Sequence, residues 1–404
     1  MFAGVPLGAA AHVGGAPGKS TCPDVWAEAW PDIWRISGRT IGKDARRVAR
    51  KGVPEHRTQA EGTPVLSAFF VFNRKEPEEQ GTRMTDSFVI PRQLYGIIGH
   101  PLAHTMSPAL HNWGFALHGI PAVYMAWPLQ PGCTGDFVQA MRTLNIQGAS
   151  VTIPHKEAVQ AFLDRITDRA RAVGAVNTLF WRDGELWGEN TDVTGFLAPL
   201  RRRYGKVAEG DCGLAEGGDL YPLPRTALVL GAGGAARAVL AGLQELGVAT
   251  VYLCNRTNTK AASMVHAVAH EFARLTPDIP SDACPVRYLP WEDRTSVPVD
   301  LVINTTPLGM AGERVGETPY PAEALAWQRR QRTADAPPPL AYDLVYNPLH
   351  TRLLREAAEA GWDTQDGLDM FVEQGREQFR IWTGHMLPAP EARQRVAALL
   401  GVAL

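Results

Sequence analysis

The feature of the sequence that most constrains its fold is a glycine-rich turn between an apolar run and a helical pattern, TALVLGAGGAARAVLAGL (226–243). Gly231, Gly233 and Ala236 give it the spacing G-x-G-x-x-A, with Gly234 and Ala235 between them. In this spacing the first glycine permits a tight turn, the second lets the backbone approach a pyrophosphate, and the alanine lets helix and strand pack closely. Tight glycine turns also occur without cofactors, but the strand–turn–helix context predicts a dinucleotide-binding unit of the Rossmann type.

The residues that follow the next apolar run, TVYLCN (250–255), indicate which dinucleotide is bound. An NAD-binding protein would carry Asp or Glu at this point for the ribose hydroxyls. This chain has Asn255, Arg256, Thr257 and Lys260 instead. Two cations without a carboxylate suit a 2′-phosphate, because arginine forms a planar bidentate clamp and lysine adds a point charge. We therefore predict NADP as the cofactor; the alternative is an ordinary basic turn.

Apolar runs and helical patterns alternate along the chain from residue 92 onward. LYGIIG precedes a helix predicted from Ser107 to about Leu117, AVYMAWPL precedes DFVQAMRTLN, and GASVTI precedes KEAVQAFLDRI. Such alternation predicts an α/β fold with parallel strands. Two amphipathic helices are expected near the end of the chain, within 367–384 and 391–401. The remaining stretches are expected to be linkers, loops or insertions, namely 203–225, 276–296 and 311–340.

The first 83 residues differ from the rest of the chain. They are rich in Gly, Ala, Pro and Arg and show little sustained periodicity, so we expect a disordered extension that is dispensable for catalysis. Met84 is a plausible true start. The basic stretch 38–52 raises a transit peptide or an anionic partner as alternatives to a solvated run.

Composition excludes several classes of protein. Lys and Arg number 40 against 42 Asp and Glu, a formal net charge of −2, which gives no electrostatic case for a nucleic-acid partner. The five cysteines are scattered without a CxxC pair, as in a reduced, cytoplasmic protein without a zinc site. No uninterrupted apolar run is long enough to span a bilayer, so no membrane partner is expected. No residues have metal-ligand spacing.

Polar residues lie at the ends of several apolar strand-like runs, where α/β sheets bind their ligands. They are Thr152, Lys156, Asn177, Thr191 and Asp192. Lys156 follows the predicted strand GASVTI and Pro154. The alternative to a functional role is that Lys156 only pairs with Glu157 or is solvated. Thr105 and Ser107 precede a helix with Pro108 at its first position; Ser107 is expected to be the N-cap, and the two hydroxyls suit a carboxylate. His111 and His155 are expected to be structural.

Several motifs of the chain together resemble the shikimate dehydrogenase family. They are GAGGAAR, NRT, NTTPLGM (304–310), YDLVYNP (342–348) and GLDMFVEQ (367–374), in the order that the family has them. The resemblance covers nearly all of 92–404. It implies an N-terminal α/β substrate domain completed by the C-terminal helices (84–193 and 368–404), a Rossmann-type NADP-binding domain (194–367), and an active-site cleft between them. It also implies a monomer or homodimer.

The activity that the resemblance implies is reversible, NADPH-dependent reduction of 3-dehydroshikimate to shikimate. Lys156 and Asp192 match the catalytic pair. The resemblance also implies a set of substrate and cofactor contacts: Thr105, Ser107 and Tyr346 for the substrate carboxylate, Thr152, Asn177 and Gln374 for ring hydroxyls, and Thr305, Met310 and Gly367 on the cofactor side. The chemistry asks for the same residue types, since reducing a ketone needs a proton donor near the oxygen and a carboxylate can orient a lysine for this role.

Two residues depart from the family pattern and leave alternatives open. Thr105 stands where serine is more frequent, which could tilt preference toward quinate, and Asp369 stands where glycine is usual. One alternative is therefore a quinate/shikimate dehydrogenase with relaxed substrate or cofactor use. A second is a non-catalytic shikimate-binding sensor, which should have lost Lys156 or Asp192. A third is a dehydrogenase of folate or tRNA-linked metabolism, which should lack the Thr105, Ser107 and Asn177 pattern.

Overall fold

Two six-stranded sheets organise the chain within one compact unit, Phe88–Leu404. The structure is a computed structural model that describes residues 90–102, 105–205, 221–275, 283–333 and 335–402. The expected N-terminal extension and Met84 therefore lie outside the described residues. Among the described residues, no helix is both long enough and apolar enough to span a bilayer.

The strands are β1 Gln93–Gly99, β2 Ala122–Pro128, β3 Gly148–Val151, β4 Arg165–Ile166, β5 Thr178–Arg182, β6 Glu185–Glu189, β7 Thr226–Leu230, β8 Thr250–Cys254, β9 Val286–Tyr288, β10 Leu301–Asn304, β11 Leu340–Asp343 and β12 Asp363–Gln365. The α-helices are α1 Ser107–Leu117, α2 Thr134–Thr143, α3 Asp168–Val173, α4 Asp192–Tyr204, α5 Gly234–Leu246, α6 Asn258–Leu275, α7 Ala322–Arg330, α8 Arg352–Glu359, α9 Leu368–Thr383 and α10 Ala389–Leu399. Two short 3₁₀ helices lie at Ala158–Phe162 and Trp291–Asp293.

The first sheet has the strand order β2-β1-β3-β5-β6-β4. β1 is parallel to both β2 and β3, whereas β5 is antiparallel to both β3 and β6. Successive side chains of β1 point to opposite faces, as a period of two requires. Tyr95 and Ile97 pack in the core shared with α1, α9 and α10, while Ile98 packs in the core shared with α2. The C-terminal helices thus complete a core that the N-terminal segments begin.

The second sheet is parallel throughout and has the order β12-β11-β10-β7-β8-β9. Ala227 and Val229 of β7 face α4, α5 and α6, whereas Leu228 and Leu230 face α7 and α8. The chain moves outward from β7 through β8 to β9 and then returns to build the other half from β10. Ligands of such sheets bind where the strand order reverses, which here is the carboxyl end of β7 and β10. The predicted α/β class with a Rossmann-type unit is confirmed.

Helix α4 touches both halves of the fold. Its residue Gly195 lies against α9, where an added Cβ would come 2.5 Å from the Met370 carbonyl oxygen. Its next residue, Phe196, stacks on Tyr342 of β11 with ring centroids 5.4 Å apart and lies against Gly242 of α5. The predicted domain boundary between residues 193 and 194 falls within this helix.

Three predictions of secondary structure are corrected. The segment 157–166 forms a 3₁₀ turn and the short strand β4 in place of the expected helix, because the Asp164 and Thr167 amides donate to carbonyls of β6. The stretches 276–296 and 311–340, expected to be loops, contain β9 and α7. The helix α7 buries Ala324, Leu325 and Gln328, the three- and four-residue spacing of one helix face. The first residues of the stretch 203–225 belong to the end of α4. Residues 206–220 lie outside the described parts of the chain.

Asp369 joins three helices through ion pairs. Its carboxylate accepts from Arg202 of α4 at 3.0 Å and from Arg393 of α10 at 2.6 Å. Arg202 also donates to Glu373 of α9 at 3.1 Å, and Arg393 to Asp366. Asp369 therefore contributes a carboxylate to a charge cluster that joins α4, α9 and α10.

We expect the close crossing of α4 and α9 to tolerate no side chain at Gly195. Gly195→Ala would place a methyl group against the Met370 backbone and against Gln374, so the helices would have to separate. Overpacking of this kind costs about 1–3 kcal/mol. Urea denaturation should show that loss, whereas Gly316→Ala, where no atom lies within 4 Å of the added methyl group, should stay near the wild type. Equal stability of the two variants would contradict the packing account.

Candidate active site

Lys156 and Asp192 form a short, mostly buried ion pair. The Lys156 Nζ lies 2.6 Å from Asp192 Oδ2, and the two side chains are only 17% and 9% exposed. Lys156 lies in the turn that follows β3, and Asp192 is the first residue of α4. Glu157, the alternative partner for Lys156, pairs instead with Arg237 of α5 at 3.3 Å. The lysine is therefore held by a buried carboxylate and is not a solvated surface charge.

The other oxygen of Asp192 is held by Asn177. The Asn177 amide nitrogen donates to Asp192 Oδ1 at 2.9 Å and to Thr191 Oγ1 at 3.0 Å. In return, the Asn177 amide oxygen accepts from the Thr191 backbone N–H at 2.8 Å. The Asn190 side chain accepts from the Asp192 N–H at 3.1 Å. Because each oxygen has its own donor, the carboxylate has one fixed orientation.

Thr105 and Ser107 meet at the start of α1, but not with the expected capping. Ser107 is the first residue of the helix, and the preceding residue, Met106, makes no side-chain cap. The Thr105 hydroxyl donates to Ser107 Oγ at 3.3 Å and also accepts from the Ser107 N–H at 3.4 Å. The prediction that Ser107 is the N-cap is therefore wrong, because Met106 is the N-cap and Ser107 is already the first residue of the helix. The two hydroxyls still lie together at a helix N-terminus, the end that favours an anion.

The other three predicted substrate residues are held by contacts other than hydrogen bonds to the ion pair. Thr152 follows β3 directly, and its N–H donates to the Ile98 carbonyl at 2.9 Å. Gln374 lies opposite Gly195 of α4, and its amide donates to the Phe371 carbonyl of its own helix at 2.9 Å. Tyr346 packs on Phe371 with centroids 4.8 Å apart, and burial raises the pKa of its hydroxyl. Across the described ranges, no hydrogen bond links Tyr346 or Gln374 to Lys156 or Asp192.

The glycine-rich turn leads into α5 as the sequence predicts. Gly231 has φ +112°, and an added Cβ would lie 2.6 Å from Thr305 Oγ1. Gly233 is exposed, and no atom lies within 4 Å of the place a Cβ would take, so the backbone is open to a ligand. Ala235 is half-buried and Ala236 is fully buried in the core under α5.

The turn and the ion pair are neighbours. A Cβ on Gly234, the first residue of α5, would lie 3.5 Å from Lys156 Cδ. The positive end of the α5 dipole and its free backbone N–H groups therefore open beside the lysine. This contact joins the carboxyl edges of the two sheets in one site.

The loop after β8 presents two cations. Asn255 ties this loop to the glycine-rich turn, because its side chain accepts from the Ala232 N–H at 3.2 Å and donates to the Thr257 carbonyl at 3.0 Å. Arg256, Thr257 and Lys260 are exposed. Within the described part of the chain, neither Arg256 nor Lys260 pairs with a carboxylate. Two cations left without a carboxylate partner fit a phosphate group.

Two buried residues that the sequence reasoning missed hold the loops on the cofactor side. Asn304, at the end of β10, donates to Asp343 Oδ1 at 2.9 Å, and its amide oxygen accepts from the Thr306 N–H at 2.9 Å. Asp343, at the end of β11, accepts from the Val345 N–H at 3.0 Å and from the Thr351 hydroxyl at 2.7 Å. Burial raises the pKa of Asp343 to about 6, against the effect of these hydrogen bonds. The position of Asn304 and Asp343 at the ends of apolar runs is the sequence signal that could have identified them.

The same pair of loops contains the remaining predicted cofactor residues. The Thr305 hydroxyl donates to the Leu230 carbonyl at 2.9 Å, which joins the end of β10 to the end of β7. Met310 is 48% exposed. Gly367 lies so close to the next loop that an added Cβ would be 2.3 Å from the Leu344 carbonyl oxygen. This close approach explains the need for glycine at the start of α9.

The surroundings of His155 and His111 fit the structural role expected of them. His155 Nδ1 bonds with the Thr134 hydroxyl at 2.9 Å, and its Nε2 with the Leu129 carbonyl at 2.8 Å. His111 stacks on Tyr124 with centroids 4.5 Å apart, and burial lowers its pKa to about 3, so the ring is neutral. No group of three or more His, Cys, Asp or Glu among the described residues is arranged to hold a metal ion.

Comparison with known proteins identifies this arrangement. Residues 97–179 match the shikimate dehydrogenase substrate binding domain, and residues 367–397 match the shikimate 5′-dehydrogenase C-terminal domain. The chain is 49% identical, over 311 residues, to the shikimate dehydrogenase (NADP(+)) of Oleidesulfovibrio alaskensis. That alignment covers 77% of this chain and 97% of the relative.

Solved structures give the same result. A shikimate 5-dehydrogenase from Thermus thermophilus, in complex with NADP(H) and shikimate, is 33% identical with a TM-score of 0.59, over 76% of this chain and 99% of that one. A quinate dehydrogenase from Corynebacterium glutamicum, in complex with NAD, is 25% identical with a TM-score of 0.62, over 76% and 99%. With near-complete coverage of a relative at 49% identity, and with the two sheets and the glycine-rich turn in place, the chain belongs to the shikimate dehydrogenase family.

Proposed function

We propose that this protein catalyses the reversible, NADP-dependent reduction of 3-dehydroshikimate to shikimate, a step toward chorismate and the aromatic amino acids. The observation that carries the proposal is the 2.6 Å pair of Lys156 and Asp192, placed beside the N-terminus of α5. A proton donor next to a dinucleotide-binding turn is what reduction of a ketone requires. The named relatives support the choice of substrate and cofactor.

The substrate residues take roles that their positions allow. Thr105 and Ser107 would bind the carboxylate with their hydroxyls at the positive end of α1, and Tyr346 would close the same subsite. Thr152, Asn177 and Gln374 would bind ring hydroxyls. Asn177 is already fixed by Thr191 and Asp192, so it is preorganised for this contact.

The residues of the second sheet fit NADP. Gly231 shapes the tight turn, and its N–H donates to the Cys254 carbonyl. Gly233, Gly234 and Ala235 would offer their N–H groups to the pyrophosphate, and Ala236 lets α5 pack close beneath it. The remaining contacts would come from loops around this turn: Arg256 and Lys260 at the 2′-phosphate, with Asn255 and Thr257 shaping their loop, and Thr305, Met310 and Gly367 toward the nicotinamide end. NADPH, when bound, supplies the hydride for the reduction.

Lys156 is the general acid–base group in this scheme. In the direction of reduction its ammonium donates a proton to the substrate oxygen as negative charge develops there, and in the reverse direction the amine takes the proton back. Asp192 orients the lysine, and Asn177 orients Asp192. The side chains that bury the pair keep bulk water away from the transferred proton.

We further propose that residues 84–193 and 368–404 form the substrate domain and residues 194–367 the NADP-binding domain, with α4 packed against both. The assignment is supported by the two sheets and by the helices α9 and α10 in the core of the first. A cytoplasmic location is supported by the scattered cysteines.

Absorbance of the reduced cofactor tests the proposal directly. The purified protein should reduce NADP⁺ with shikimate, and much faster than it reduces NAD⁺. Quinate is the informative second substrate, because Thr105 adds a methyl group to the carboxylate subsite and a quinate dehydrogenase is among the structural neighbours. Binding of shikimate without any turnover would point to a sensor, and inertness toward both acids would reject the proposal.

Replacement of the catalytic pair should lower turnover and leave cofactor binding intact. General acid–base groups contribute about 10²–10⁴-fold, so Lys156→Met should lower kcat by about that factor. Asp192→Asn keeps the size and removes the charge that orients the lysine. The double variant should be little worse than Lys156→Met, since the two act as one unit. NADP⁺ affinity and Tm are the controls, and a Lys156→Met enzyme within a few-fold of wild-type kcat would exclude the lysine as the proton donor.

Arg256→Ala should discriminate between the two cofactors. A charged hydrogen bond contributes about 1.5–3 kcal/mol, so the affinity for NADP⁺ should fall about ten- to a hundredfold while the affinity for NAD⁺ stays nearly constant. The matched control is Arg92→Ala, which removes another exposed arginine, one that precedes β1. Equal losses for both cofactors in Arg256→Ala would assign the arginine to the structure of the loop and not to the phosphate.

A further inference from the structure

A row of buried polar side chains crosses the first sheet between the start of α1 and the start of α4. The Tyr124 hydroxyl on β2 donates to Ser150 Oγ on β3 at 2.6 Å, and Ser150 donates to Gln378 Oε1 on α9 at 2.8 Å. The Gln378 amide donates to Thr178 Oγ1 on β5 at 3.0 Å. The Thr178 hydroxyl then donates to Asn177 Oδ1 at 2.8 Å. All five side chains are buried.

The two ends of this row coincide with the two parts of the proposed site. At one end, Asn177 donates to Asp192, which holds Lys156. At the other end, the Tyr124 ring stacks on His111 of α1 with centroids 4.5 Å apart, and His111 lies one helical turn after Ser107. The row therefore runs from α1, the helix that begins with Ser107, to the carboxylate of Asp192.

Every donor in the row points the same way. From Tyr124 onward, each hydroxyl or amide donates to the next residue toward Asp192, and the series ends on the carboxylate. Hydrogen bonds that run in one direction polarise one another, and this effect is larger in a buried, low-dielectric setting. If these polar groups only satisfied one another's hydrogen-bonding capacity locally, their donors would not need to share one direction or to end on a charged carboxylate.

We propose that Tyr124, Ser150, Gln378 and Thr178 are positioning residues that act as one unit with Asn177 and Asp192, and that they couple occupation of the carboxylate subsite to the orientation of the catalytic pair. The inference rests on the proposed function, because it assigns the substrate carboxylate to Thr105 and Ser107. It adds that turnover depends on residues that touch neither the substrate nor Lys156.

Breaking the row at its middle tests this coupling. Ser150 reaches Asn177 through Gln378, which donates both to Thr178 and to the Asn177 carbonyl. Ser150→Ala should nevertheless lower kcat for shikimate oxidation by about ten- to a hundredfold, with a smaller change in the KM for NADP⁺. Thr178→Val should do the same, and Thr178→Ser, which keeps the hydroxyl, should restore turnover. The matched control is Gln328→Met in α7, a buried glutamine with its own backbone partners, for comparison with Gln378→Met. Both should lower Tm, but only Gln378→Met should lower kcat.

A double variant separates coupling from simple destabilisation. Ser107→Ala combined with Ser150→Ala should have a kcat close to that of the more impaired single variant, because both changes interrupt one unit. Multiplied losses in the double variant, or a wild-type kcat in Ser150→Ala and Thr178→Val, would overturn the inference. Should either of these two single variants fail to fold, the Thr178→Ser and Gln378→Met enzymes still decide it. The wild-type enzyme in the same assay reports separately on the proposed function.

Discussion

The packing of helix α4 is the constraint on which the rest of the structure depends. Its first residue is Asp192, the carboxylate of the proposed catalytic pair, its residue Gly195 crosses α9, and Phe196 lies on Tyr342 of the second sheet. One helix thus fixes Asp192, the crossing point of α9 and the core of the nucleotide half. Close packing leaves little room for adjustment, so these three features cannot move independently of one another.

Several strands and helices could be predicted because their signals are local. The turn around Gly231, the start of α1 and the two last helices all follow from spacing within a few residues. The segment 157–166 could not be predicted in this way, since its helical pattern is overridden by pairing with β6. Here Asp164 accepts from the Leu186 N–H, which lowers its pKa, and also pairs with Arg142. These partners are 22 residues away in each direction along the chain.

The residues of the site also divide into those that local sequence signals predict and those that depend on distant partners. Lys156, Asp192 and Asn177 stand at the ends of apolar runs, and the structure brings them together. Gln378 gives no such signal, because its partners Ser150 and Thr178 lie 228 and 200 residues away. Asn304 and Asp343 lie within the motifs NTTPLGM and YDLVYNP. Only the hydrogen bond between their side chains shows that they hold the loops after β10 and β11 together. What the sequence hides is the pairing of polar groups across distant elements.

The ion pair between Glu157 and Arg237 links two parts of the proposed site. Glu157 directly follows Lys156, and Arg237 lies on the first turn of α5, so the pair connects the lysine-bearing turn with this helix. Glu157 is well exposed, so mobile ions reach it and weaken the attraction. The attraction between this turn and α5 is therefore sensitive to the surrounding electrolyte: it is stronger in dilute buffer and weaker in concentrated salt.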